Sequence, residues 1–249
     1  MDVVRATTDD ATAAANLAVA KRAEYERFSP VFWRVAANAR ELHEPFLAFC
    51  IADPGFTSLA VRHADGPLAG IAIASHRVGP PPFNDDSEPS WLVDDFFVRS
   101  ADEWPTVGAA LLRGIEAAAV ESGATRVVVL SARRDAPKRD AIAALGYTLG
   151  ASWWVHPVSP RPGKPGDVPT TKPVVGPAPP VYDPGGLTAL ALEMRDPADV
   201  PLFDDWAAAS NAVLAIVPAL ETDPALQASL QKNGYEPASD WFVKSVAIS

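Results

Sequence analysis

Part of this chain is written twice. The stretch AALGYTLGASWWVHPV at residues 143–158 returns as QKNGYEPASDWFVKSV at 231–246. Gly146 and Tyr147 fall on Gly234 and Tyr235, Trp153 on Trp241, and Val155 on Val243. The same register runs back through RVVVLSARRD, from Arg126, onto LAIVPALETD, from Leu214. With a shorter helix in the second copy, WLVDDFFVRSADEWP from Trp91 lines up with LTALALEMRDPADVP from Leu187, and PPPFND from Pro80 with PPVYDP from Pro179. Self-similarity on this scale means one supersecondary unit used again. Here the unit is strand-helix-strand-helix-strand. The second copy has no room for the elements that open the first, so it reads as a half-repeat that extends the sheet or covers an edge, where unpaired strands are a liability.

Hydrophobic spacing and stop signals place the elements. Thr7, Thr8, Asp9 and Asp10 can cap a helix over 11–28, and a second helical stretch, with a break in its middle allowed, covers 31–51. Strands are predicted at 57–62 and 68–76, joined by the turn Ala64-Asp65-Gly66, and at 91–98. A helix is predicted over 105–121, with Pro105 in its first turn. The all-apolar run 127–130 suits a central strand. Helix 135–145 ends at Gly146, and strand 149–158 closes the first copy. The second copy reads as strand 187–194, helix 197–209, strand 213–217, helix 223–232 and strand 239–247. Between the copies, residues 157–184 hold ten of the 25 prolines, the composition of an extended linker or surface arm. The organisation expected is a domain at 1–158, a linker at 159–184 and a half-repeat at 185–249. The fold class is α/β (α+β), a mixed central sheet flanked by helices, antiparallel early and parallel at the later β-α-β step.

A net charge of -10 and a pI near 4.8 argue against nucleic acid as partner and suit a cationic small substrate. The lone Cys50 permits no intrachain disulfide and sits in an apolar helical pattern. No run approaches the roughly 20 apolar residues of a membrane span, and the N-terminus carries no basic, apolar signal region. A soluble cytoplasmic protein with no membrane partner is expected, and a homodimer is compatible. Alanine richness, with arginine outnumbering lysine, suits a high-GC bacterium. Nucleophile elbows, zinc-binding spacings and phosphate loops are missing from the sequence, so no metal is expected. GPPP at 79–82 reads as a stiff connector.

The order of elements, with the residues at their joints, resembles the GNAT superfamily of acyl-CoA-dependent N-acetyltransferases over about residues 3–158. LVDDFFV at 92–98 is similar to the family's fourth strand. VGAALL at 107–112 is similar to the end of its acyl-CoA motif, Arg/Gln-x-x-Gly-x-Gly/Ala. AIAALGY at 141–147 is similar to the helix that closes in Gly-Phe or Gly-Tyr. The resemblance implies a GNAT-like mixed sheet and transfer of an acetyl group from acetyl-CoA to a primary amine of a small molecule by direct attack. It implies that Asp94 or Asp95 orients or deprotonates the amine. It also implies that Phe97, Val98, Arg99, Thr106, Val107, Gly108, Ala109 and Arg134 hold the coenzyme. The physical logic is that free amides at a helix start suit a pyrophosphate, with Arg133, Arg134, Lys138 and Arg139 as further positive charge.

On a regular strand Asp94 and Asp95 point to opposite faces, so one lines the substrate side. His43, Glu44 and His76 are secondary candidates. Glu103 stands where the family has Arg or Gln, Thr106 where it has the first Gly, and Ile142 where many members carry a tyrosine acid. These departures keep open a second reading, a catalytically inactive GNAT-like module that binds a ligand or a protein. The second copy has Leu190-Ala191 in place of the acidic pair, and Asp204 and Asp205 close to where a phosphate would sit. A packing role follows.

Overall fold

A computed structural model describes residues 2–64, 66–76 and 89–246. Asp65 of the expected turn, the segments PPPFND and GPPP, and the last residue of the expected final strand lie outside them. Among the described residues, ten strands form one sheet in the order β1-β2-β3-β4-β5-β10-β6-β9-β8-β7. The first copy supplies β1 (Val3–Arg5), α1 (Ala11–Phe28), α2 (Ala39–Ala52), β2 (Phe56–Arg62), β3 (Leu68–Ser75), β4 (Ser90–Val98), α3 (Ala109–Glu121), β5 (Arg126–Ala132), α4 (Ala136–Ala144) and β6 (Thr148–Pro157). Then come β7 (Pro173–Gly176), β8 (Leu187–Ala191), α5 (Val200–Ala209), β9 (Ala212–Leu220), α6 (Pro224–Lys232) and β10 (Glu236–Ser245).

The repeat is built as an exchange of final strands. β10 closes the second copy yet lies between β5 and β6, and β6 closes the first copy yet lies between β10 and β9. The registers are those of a pseudo-twofold axis. Trp241 pairs with Leu130, and its counterpart Trp153 pairs with Pro218, the counterpart of Leu130. On the axis Asp240 pairs with Ser152, its own counterpart. The parallel pair β4–β5 is matched by the parallel pair β8–β9, and antiparallel β3–β4 by β7–β8. The halves therefore share one continuous sheet.

The helices follow the same symmetry. Leu111, Leu112 and Ile115 of α3 pack on Val93, Phe96 and Phe242. On the same face, Phe203 of α5 and Leu230 of α6 pack on Val217 and Trp154, the counterpart of Phe242. The opposite face carries α1 and α2, with Ala14, Ala18 and Leu47 on Ala60, Ile71 and Phe97. The second copy has no equivalent of α1 and α2. Its bare face, with Leu214 and Ile216, is covered by Val31 and Phe32 of the α1–α2 connection. That duty explains why the helix expected over 31–51 starts only at Ala39. Phe32 packs edge-on to Trp153, Trp33 edge-on to Tyr182, and Val35 bridges to Tyr182. The proline-rich segment adds β7 at the sheet edge, where a missing N–H costs no ladder bond.

Candidate site at the junction of the two copies

β4 and β5 pair only from Ser90–Val93 against Arg126–Val129; beyond that the two parallel strands diverge. On its other side β4 carries a bulge, because two steps on β3 (Ala72 to Ala74) span three on β4 (Phe96 to Val93). Val93, Phe96 and Val98 keep to the α3 core, whereas Leu92, Asp94, Asp95 and Phe97 all line a cavity on the α1–α2 face. The expectation that Asp94 and Asp95 face opposite ways is thus corrected. A bulge inserts a residue out of alternation and re-aims its side chain.

The cavity has a volume of about 510 Å³. Its walls come from both copies: β4 and β5, the stacked pair Trp153 and Trp241 with centroids 5.0 Å apart, Leu214 and Ile216 of β9, and Pro179 to Tyr182. Phe32 and Trp33 complete it. One end is charged. His43 Nε2 lies 3.0 Å from Asp95, and Arg22 donates to His43 Nδ1 at 2.9 Å. Arg22 also reaches His43 Nε2 at 3.0 Å, so the guanidinium lies along both ring nitrogens. Burial raises the Asp95 carboxyl, but the His43 hydrogen bond, with Arg22 and Lys138 nearby, outweighs it and holds the group below the usual carboxylate range. Asp94 behaves oppositely. Burial, then the charge of Asp95, pushes it up to about 6 against Lys138 and Arg22. Asp94 lines the cavity and is itself exposed, whereas Asp95 is half-buried.

The expected site residues are not gathered together. Phe97 lines the cavity, but Val98 points into the α3 core. The Arg99 guanidinium is tied to Leu68 O at 2.8 and 3.1 Å. Arg134 is exposed, while Arg133 and Arg139 are engaged with Asp240. Of the secondary candidates, only His43 is in the site. Glu44 accepts from Thr12 at 2.6 Å, and His76 stacks on Trp91 with centroids 4.0 Å apart. Arg22, Tyr182 and the tryptophan pair went unassigned. The tryptophans were visible as the repeat's own signature, and Arg22 carried no signal.

No family model matches the chain, and no curated protein matches it. Solved structures do. A Thermoplasma acidophilum protein assigned as an acetyltransferase aligns over 98% of both chains, with TM-score 0.54 and 10% identity. A tandem GNAT protein from the clavulanic acid biosynthesis pathway covers 100% of this chain and 99% of its own, with TM-score 0.50 and 14% identity. A Bacillus halodurans protein, in a mutant form, matches 59% of this chain and 92% of its own, with TM-score 0.52 and 12% identity. The chain has a GNAT-like fold with a C-terminal partial repeat of it. Among the described residues no helix is long and apolar enough to cross a membrane.

A GNAT fold implies acetyl-CoA, and the residues at the expected turn do not fit it. The helical run that becomes α3 begins at Ala101, not Pro105, through a 3₁₀ turn and a π segment over Trp104–Gly108. Free amides belong to the first turn of a helix, so they lie at 101–102, the Glu103 amide being already bonded to Ser100 O at 3.1 Å. The Ala109 amide is already spent on Trp104 O and Thr106 O. The true start is held by its own acids. The Ser100 amide donates to Glu103 at 3.0 Å, Ser100 Oγ to Asp102, and Glu103 also meets His63 at 3.0 Å. Two carboxylates there oppose a pyrophosphate.

Gly108, the one matching glycine, makes room for a side chain. A Cβ on it would stand 2.5 Å from the ring of Trp104, which is 0% exposed. Gly108→Ala should therefore act on stability, costing about 1–3 kcal/mol through overpacking. A urea titration reads this, and an unchanged midpoint would contradict the packing role. Between the diverging strands, Lys138 crosses from α4 and donates to Phe96 O at 3.3 Å.

Proposed function

We propose that this GNAT-fold protein binds, in the cavity between its copies, a small molecule carrying a protonated amine on an apolar body. One observation carries the reading. The Asp94 carboxylate faces the cavity with no hydrogen-bond or ion-pair partner among the described residues. Arg22, His43, Asp95 and Lys138 at that end each have one, as does Tyr25. An unpaired carboxylate bordering a largely apolar cavity favours a cationic ligand, and aromatic walls favour one further. The volume suits a small ligand.

Titration calorimetry with tryptamine between pH 5 and 8 tests this. Asp94 titrates at about 6 and is charged above that value, whereas a primary amine stays protonated to about 10. Affinity should rise with pH through 6 and fall about tenfold per unit below it. Equal binding of the uncharged alcohol analogue, tryptophol, would contradict the proposal. A second reading, N-acyl transfer to the bound amine, is favoured by the same carboxylate, since a group titrating near neutrality is suited to take up an amine proton. The fold is that of acetyltransferases and is compatible with acyl transfer as a class. This reading needs an acyl donor seated elsewhere than at residues 101–109, and thiol release from acetyl-CoA in the presence of tryptamine would establish it.

A further inference from the structure

Lys138 is 2% exposed, yet it forms part of the cavity wall. It enters the wall because α4 begins beside the divergence of β4 and β5. The Asp135 carboxylate accepts from the Lys138 amide at 3.4 Å and caps the helix, which sends the side chain between the strands. An ammonium has three donors. The Nζ of Lys138 has one hydrogen bond, the long one to Phe96 O, and no carboxylate within 4.0 Å among the described residues. The rings of Phe96 and Trp104 flank it at 5.2 and 5.6 Å. Two donors without protein acceptors, on a side chain 2% exposed, shift the group towards the neutral amine, whose lone pair is a nucleophile.

We propose that Lys138 is a covalent site for carbonyl compounds, where an aldehyde or ketone with an apolar body entering the cavity forms an imine on Nζ. The Nζ lone pair attacks the carbonyl carbon, and the carbonyl π pair moves to oxygen. A proton passes from nitrogen to that oxygen, giving a carbinolamine. The hydroxyl then leaves as water, taking a proton from Asp94 or solvent as the C=N bond forms, and the resulting iminium nitrogen returns one proton to Asp94 or solvent to give the imine. One carbonyl and one amine give one imine and one water, and nothing is oxidised or reduced.

The groups facing Lys138 are Asp135 at its helix start, Lys21, Arg22 and Tyr25 of α1, His43 of α2, and Asp94 and Asp95 of β4. Burial lowers its pKa to about 8, Lys21 adds to that, and the attraction of Asp135, Asp94 and Asp95 does not restore it. The site shares its cavity with the amine proposal but not its anchor, so the two can fail separately.

The test uses the full-length protein with benzaldehyde and sodium cyanoborohydride at pH 7, followed by intact mass and peptide mapping. The expected result is one benzyl adduct on Lys138, at least about tenfold above the linker lysines Lys164 and Lys172, because each unit of lowered pKa gives tenfold more free amine. Adducts spread over Lys164 and Lys172 with Lys138 unmodified, or no adduct at all, would overturn it. Tryptamine titration of the same sample separates the proposals. Binding without trapping removes Lys138 from the reactive groups and leaves the Asp94 anchor in place.

Discussion

Removing Arg133 and Arg139 together should destabilise the protein by about 3–5 kcal/mol, the range for a buried charge stripped of its partner. Asp240 is 0% exposed and sits on the pseudo-twofold axis, where β10 of the second copy has slotted into the first. Its oxygens meet Arg133 Nη1 at 3.0 and 3.1 Å, Arg139 Nε at 2.9 Å and the Ser152 hydroxyl at 2.9 Å. Without the arginines a carboxylate stays buried with one hydroxyl. The reverse change is milder, because the arginine side chains are 38% and 30% exposed and can turn to water. Asp240→Ala should therefore cost less than the double arginine variant, and adding it to that variant should recover stability. Urea denaturation of the four proteins checks the order. A double arginine variant within about 1 kcal/mol of wild type would mean that the exchanged strand is held by its backbone and tryptophans alone.

Asp94→Asn should lower tryptamine affinity on the order of 100-fold, the scale for losing one side of a desolvated charge pair. The variant keeps size and shape, so the apolar walls still contribute. It should also lose the pH dependence through 6, which no change in packing would reproduce. Asp95→Asn is expected to behave differently. Asp95 already serves His43 and Arg22, so its loss loosens that network and removes a negative neighbour from Asp94. The Asp94 pKa then falls and the binding midpoint shifts to lower pH. Loss of affinity in Asp95→Asn with none in Asp94→Asn would transfer the anchor to Asp95.

Much of the fold could be read from the repeat. The matched pairs Trp153/Trp241 and Val155/Val243 gave the counterpart strands, and β10 on β5 and β6 on β9 obey them residue for residue. The expected match of Trp91 with Leu187 is two residues out, because Trp91 pairs with Val127 and it is Ala189 that pairs with Ala215, the counterpart of Val127. An alignment of copies does not say which half each final strand pairs with. That choice is made by long-range contacts such as Asp240 with Arg133, which leave no local pattern. The site was half legible. The acidic pair stood out as a candidate and lines the cavity, but the bulge that turns both carboxylates one way depends on the register of β3 against β4. The helix start was missed although its signal was present. Ser100 and Glu103, three apart, form a capping box, and weighing them above Pro105 would have moved the start to Ala101 and removed the amides from Thr106 to Ala109. Trp104 carries no pattern that distinguishes a surface turn from a residue packed over Gly108.

The most direct measurement is a crystal structure of the protein grown with tryptamine and acetyl-CoA both present. The expected density is an ammonium within hydrogen-bond distance of Asp94, its ring against Trp153 and Trp241, with Trp104 still over Gly108. Coenzyme phosphates on the amides of residues 106–109, with Trp104 displaced and Asp94 unliganded, would contradict it.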